Sequence, residues 1–229
     1  MDSLQPLIDG ILTVGIPAVL AITLHEAAHG YVALAFGDPT AAERGRLSIN
    51  PLRHIDPMGT VILPLMLLLA HSPFMFGWAK PVPVNFARLR NPRRDMVWVA
   101  AAGPGINIVL AILSAVILRL MPETDSKAVG LVAETLGNSL LINVVLAVFN
   151  MLPIPPLDGG RVAVGLLPLW LARPLARLEK YGMLILLTLL IGLPWLGSRM
   201  GVDLSVFSTV VGPIVDKVVH AIAALTGLS

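Results

Sequence analysis

The chain has no cysteine among its 229 residues. Disulfides, thiolate metal sites and cysteine nucleophiles are therefore excluded. Charge is also scarce: 13% of residues carry it, where a soluble domain carries about 25%. A basic leader segment is missing too, since the chain opens Met1-Asp2-Ser3. Its first apolar run holds the residues of greatest chemical interest, so a cleaved signal peptide is not expected. The net charge of +2 says little until the basic residues are placed. What the chain has in excess is apolar: 56% hydrophobic residues and a mean hydropathy of +0.83. That composition belongs to an integral membrane protein whose surroundings include the lipid bilayer. No tandem repeat, low-complexity tract or separate soluble domain interrupts it, and no nucleic-acid partner is expected. Residues 1–229 read as a single membrane domain with its catalytic core over about 7–161.

The apolar segments predict an all-α polytopic membrane protein with about five to six transmembrane helices. Runs long enough to span are Leu7 to Phe36, Met96 to Leu120, Val129 to Phe149 and about Tyr181 to Leu196. A fifth, about Leu204 to Leu225, contains Asp216, Lys217 and His220 and either spans or lies in the interface. The run Gly59 to Ala70 is short, holds Pro64 and is bounded by Pro57 and Pro73, which predicts a re-entrant element and not a crossing. If it does not cross, twelve Lys and Arg residues share one side and three the other, with Lys217 unassigned; if it crosses, the split is nine against six. The steeper bias favours the re-entrant reading, with the N-terminus outside and the long loop cytoplasmic.

Inside the first run stands His25-Glu26-Ala27-Ala28-His29. Residues four apart on a helix share a face, so two imidazoles can meet one metal while Glu26 flanks them as a general base. Ionisable groups in hydrocarbon cost roughly 2.5 kcal/mol or more each when charged, and a bound metal offsets that cost. A catalytic zinc site takes three protein ligands. Asp158 is the natural third: it follows the third long run, in Asn150-Met151-Leu152-Pro153-Ile154-Pro155-Pro156-Leu157-Asp158-Gly159-Gly160. Three prolines deny that stretch a continuous helix, and irregular backbone at membrane depth must be buried or line a wet cavity. The expectation is one zinc ion per chain on His25, His29 and Asp158. His54, in a polar loop with Asp56, is a candidate for holding the site in place or regulating it, weighed equally against a structural loop role. His71 reads as an interfacial residue without chemistry. Asn107, Asn138 and Asn143 read as interhelical hydrogen-bond partners, and Gly103-Pro104-Gly105 as a site of close helix packing.

With these residues in view, the chain resembles the site-2 protease family, the intramembrane zinc metalloproteases. The resemblance rests on His25-Glu26-x-x-His29, Ala102-Gly103-Pro104-Gly105, and Asn150-x-x-Pro153 followed by Leu157-Asp158-Gly159. It is closest to compact prokaryotic members without a PDZ or CBS domain, through Asn50-Pro51-Leu52-Arg53-His54-Ile55-Asp56-Pro57 and Gly77-Trp78-Ala79-Lys80-Pro81-Val82-Pro83-Val84. The resemblance implies His25, His29 and Asp158 as zinc ligands and Glu26 as catalytic base. It also implies that Asn150 lines the active site and helps position substrate. The Pro81–Val84 run suits an edge strand that pairs with an unwound substrate, so a short re-entrant or β-hairpin element is expected near the active site. Substrates are expected to be transmembrane proteins or peptides, cut in the cell membrane nearer its cytoplasmic side.

Two rival functions stand beside this. One is an inactive zinc-binding scaffold, against which an intact Glu26 argues. The other is a metal transporter, which would favour a polar path through both leaflets, whereas the polar residues cluster around His25–His29 and Asp158.

Overall fold

The computed structural model describes residues 5–69, 79–122 and 126–228. Helix dominates them, and no strand occurs among the described residues. Five helices are long and apolar enough to cross a membrane: α1 (Ile8–Ala35), α2 (Pro92–Leu120), α3 (Lys127–Asn150), α5 (Leu169–Met200) and α6 (Phe207–Thr226). A short helix, α4 (Asp158–Leu166), lies between α3 and α5. The chain is thus a multi-pass membrane protein. Helix is the only way for a lipid-facing segment to satisfy its own backbone without closing a barrel.

The elements follow the apolar runs, with differences at their ends. Helix α2 begins at Pro92, four residues before the run that predicts it, because Pro92 suits a first helical turn and Asp95 reaches back to accept the Asn91 N–H at 2.7 Å. The run near Tyr181 to Leu196 lies within a longer helical stretch that starts at Leu169 and carries Arg173 and Arg177 on its first part. The last segment, left between spanning and lying flat, forms a helix of spanning length from Phe207 to Thr226.

The run expected to be re-entrant is described as far as Leu69. Residues 57–69 are helical and apolar, and residues 70–78, which complete the run, lie outside the described residues. The chain before and after it meets again: Lys80 N–H donates to His54 C=O at 2.8 Å. Arg46 donates to both Lys80 O, at 2.8 Å, and Arg53 O. Arg46, Arg53 and Lys80 therefore sit together. The return of this element, with His71, lies outside the described residues. Pro81–Val84 is neither helix nor strand, so the β-hairpin is not found among the described residues. Pro81 and Pro83 have no N–H to give a ladder.

Small residues bring α1, α2 and α3 close. Ala111 and Ala115 of α2 pack with Leu140 and Val144 of α3, and the same core takes in Leu152 and Leu157 of the connection to α4 and Val215 and Ile222 of α6. A second cluster joins Ala33, Val99 and Leu89 where the chain from the re-entrant element enters α2. Helix α2 packs against both α1 and α4, which brings the N-terminal end of α4 to α1.

Candidate active site

His25 and His29 are buried on the face of α1 turned to α2. They lie ~9–15 Å from the Ala35 end of the helix at 1.5 Å per residue, inside a helix long and apolar enough to span. Each ring is held through Nδ1. The His25 Nδ1 faces Asn107 Oδ1 at 2.6 Å, and the His29 Nδ1 faces the Val99 carbonyl at 2.7 Å. The amide orientation is set by its neighbours. Asn143 donates to Ser139 O at 2.8 Å, so its Oδ1 accepts from Asn107 Nδ2 at 2.7 Å, which leaves Asn107 Oδ1 for His25. Both partners of the imidazoles are acceptors, so both Nδ1 atoms carry the proton and both Nε2 atoms present lone pairs.

Those lone pairs converge. His25 Nε2 and His29 Nε2 are 3.1 Å apart, with the rings at 83° to each other. Asp158 Oδ2 stands 3.1 Å from the first and 3.3 Å from the second. Asp158 is the first residue of α4, where a carboxylate is favoured by the helix dipole. It can turn toward α1 because Gly159 packs on the preceding loop: a Cβ there would fall 2.2 Å from Met151 O. Asp158 Oδ2 is buried and has no hydrogen-bond donor.

Three acceptors at these separations, with no proton among them, repel one another unless a cation sits between. The edge of a tetrahedron is about 1.6 times its centre-to-vertex distance, so zinc bonds of about 2.0–2.2 Å call for ligand atoms roughly 3.3–3.6 Å apart. The observed 3.1–3.3 Å triangle is slightly tighter than that and of the right shape. The donor set of two imidazoles and one carboxylate is that of a catalytic zinc centre with one position open. The residues fit the metal.

Glycine makes the fit possible. Gly103 of α2 lies against both imidazoles; a Cβ there would meet His29 Nε2 at 2.4 Å and His25 Nε2 at 2.6 Å. The sequence reading of Gly103 as a packing residue thus understates it, since what it packs against is the ligand pair.

A cavity of about 280 Å³ opens beside the triangle, lined by His25, Glu26, His29, Asp158 and Asn150 together with Pro81, Val82, Val84 and Arg161. Glu26 is half-buried at its edge, with Oε2 accepting the Val82 N–H at 2.7 Å. Asn150, the last residue of α3, donates to Leu146 O at 3.0 Å, and no second acceptor for its amide occurs among the described residues. Arg161 lies one turn past Asp158, donates to Glu179 at 2.9 Å and stacks over Phe86 at 5.3 Å. Sequence reading missed Arg161, although its position three residues after Asp158 on a helix was a usable signal.

His54 lies elsewhere. It is 2% exposed, with Nε2 on Ser48 O at 2.8 Å, and it borders a different cavity of about 310 Å³ lined mainly by apolar residues including Val19 and Ile22. The structure does not bring it to the triangle.

The far wall of the site is held from the end of α1. Asp38, 1% exposed, accepts the Asn85 N–H at 2.6 Å and the Thr40 N–H at 3.0 Å, with the Thr40 hydroxyl as a further donor. Burial works against its charge, but these three donors prevail and hold its carboxyl below the ordinary value. Arg88 forks onto Glu43 with bonds of 2.7 and 2.9 Å. No sequence pattern announced Asp38, which stands in an ordinary Gly-Asp-Pro turn.

The model of the peptidase family M50 matches residues 120–193. "Putative zinc metalloprotease YwhC" of Bacillus subtilis is 38% identical over 180 residues, which cover 77% of this chain and 78% of that protein. "Putative zinc metalloprotease Rip2" of Mycolicibacterium smegmatis is 32% identical over 174 residues, 76% of this chain and 64% of that one. The protein of the same name from Mycobacterium tuberculosis strain H37Rv is 30% identical over 171 residues, 75% and 63% of the two chains. The aligned part thus spans slightly less than two thirds of the mycobacterial proteins. No solved structure matches the chain.

Proposed function

This chain belongs to peptidase family M50, and we propose that it works as an intramembrane zinc metalloprotease of the site-2 type, hydrolysing peptide bonds within or near transmembrane segments of membrane proteins. The observation that carries the reading is the buried triangle of two imidazole nitrogens and one carboxylate oxygen, 3.1–3.3 Å on each side, set in a spanning helix beside a carboxylate that is not part of it.

His25, His29 and Asp158 would hold the zinc. Bound there, zinc supplies a Lewis acid that acidifies water and polarises a carbonyl. Glu26 follows His25 on α1 and reaches into the same cavity. It takes the proton of the attacking water and returns it to the leaving amine. The free N–H of Asn150 donates to the carbonyl oxygen as negative charge builds on it. The substrate enters extended, because a helical peptide bond has its carbonyl engaged and shielded, and it runs along Pro81–Val84. The basic residues gathered around Arg46, Arg53 and Lys80 support a cytoplasmic position for this end of the site.

The test is reconstitution in liposomes with a single-span substrate, comparing the wild type with Glu26→Gln and Asp158→Ala. The reading requires about one zinc per chain in the wild type and in Glu26→Gln, a cleavage rate lowered by ~10²–10⁴ in Glu26→Gln, and metal loss in Asp158→Ala. Full activity in Glu26→Gln would remove the mechanism.

A further inference from the structure

Glu26 is engaged in this structure, and its partner is a backbone amide of the wall along which substrate must run. Pro81 and Pro83 have no N–H, so the only amide donors between 81 and 84 are Val82 and Val84. Both residues line the catalytic cavity. The Val82 N–H reaches Glu26 Oε2 at 2.7 Å, which turns that donor toward the catalytic cavity. The stretch is pinned at both ends, by Lys80 N–H on His54 O at 2.8 Å and Asn85 N–H on Asp38 at 2.6 Å. Gly30, one turn past Glu26, makes room for it: a Cβ there would lie 2.9 Å from the Val82 side chain.

We propose that the Val82 amide is the register point for an extended substrate backbone and that Glu26 occupies it until substrate arrives. A substrate carbonyl takes the Val82 N–H, and the Glu26 carboxylate, no longer aimed at the protein wall, turns to the reacting water. Docking the substrate in register and releasing the base are then one event. A peptide that docks out of register leaves Glu26 where it is. The inference deepens the protease reading and rests on it for the identity of the bound peptide.

The test is a binding cycle on the full zinc-loaded chain in detergent, with an extended apolar peptide whose scissile amide is replaced by a reduced, uncleavable bond. Glu26→Ala removes the competitor and tightens this peptide by about tenfold, whereas Val82→Pro removes the donor and weakens it by about tenfold. In the Val82→Pro background, Glu26→Ala changes affinity less than about twofold. Val82→Ala, which keeps the N–H, retains the roughly tenfold response to Glu26→Ala. Equal effects of Glu26→Ala in both backgrounds would overturn the proposal. If Val82→Pro does not fold, replacing Val82 by its α-hydroxy acid deletes the N–H alone and repeats the cycle. Coupling without cleavage in liposomes would sink the protease reading and leave the shared amide standing; cleavage without coupling would sink only the shared amide.

Discussion

The two walls of the catalytic cavity are built on different principles. The metal wall is helix against helix: His25 and His29 on α1, Gly103 and Asn107 on α2 and Asp158 at the start of α4, with both imidazoles held through Nδ1 and packed against Gly103. The opposite wall, from Lys80 to Asn85, has no regular structure and is held at points, by Asp38, by His54 O and by Glu26 itself. Packed helices have one arrangement, and their atoms are placed to a fraction of an ångström. A stretch held at points can exchange one partner for another without disturbing the core. A site that must keep a metal and admit a long substrate needs one wall of each kind.

The largest way to break this contrast is to strike the packed wall. Gly103→Ala puts a methyl where the imidazoles lie, 2.4 Å from His29 Nε2. Bound zinc is expected to fall from about one per chain to almost none, with cleavage lost along with it. Metal analysis of the purified variant checks this, and retention of full zinc would mean that α2 is not seated on the ligand pair.

A smaller effect is expected one contact further out. Asn107→Ala leaves the three ligands intact but frees the His25 ring from its 2.6 Å partner. Zinc affinity should weaken by ~10–100-fold, the usual range for a group that orients a metal-bound histidine, as read by chelator competition. Asn143→Ala, acting through Asn107, should weaken it less.

The point-held wall predicts dependence on pH instead. The Asp38 carboxyl lies below its ordinary value in the folded chain, so its contribution to stability is complete above the unfolded-state value and disappears as pH falls through the folded one. Asp38→Asn should therefore lower the melting temperature at neutral pH, and the gap from wild type should close on acidification. A gap that stays constant with pH would exclude the charge as its source. The smallest change is expected for Glu43→Gln. Its partner Arg88 and Glu43 are both exposed on the same wall, so any loss should be slight and vanish in high salt.

The metal wall was largely legible in the sequence, for a physical reason. The i, i+4 period puts His25 and His29 on one face wherever the helix sits, and a lone aspartate in a proline- and glycine-broken stretch after a span has few places to go. Asn107 and Asn143 were legible as buried polar partners, because hydrocarbon leaves an amide no other option. Their order in a chain leading to His25 was not legible, since it depends on which residue of α2 faces which of α1. The other wall was nearly opaque. The meeting of Glu26 with Val82, 56 residues apart, and of Asp38 with Asn85 follows from how a whole loop folds back. Reading Pro81–Val84 as an edge strand took its prolines as the mark of a sheet edge. The prolines that confine such a stretch to an edge also leave it with few donors for a ladder. Gly30 and Gly103 act through atoms they lack, which no periodicity records.

His25, His29 and Asp158 are expected to share one zinc ion within the membrane. Zinc K-edge absorption on the purified chain tests it most directly. The account predicts a first shell of nitrogen and oxygen only, about four ligands at ~2.0–2.2 Å, with imidazole scattering from two histidines, and loss of the shell or of an oxygen from it in Asp158→Ala. No bound zinc in the wild type, or an unchanged shell in Asp158→Ala, would contradict it.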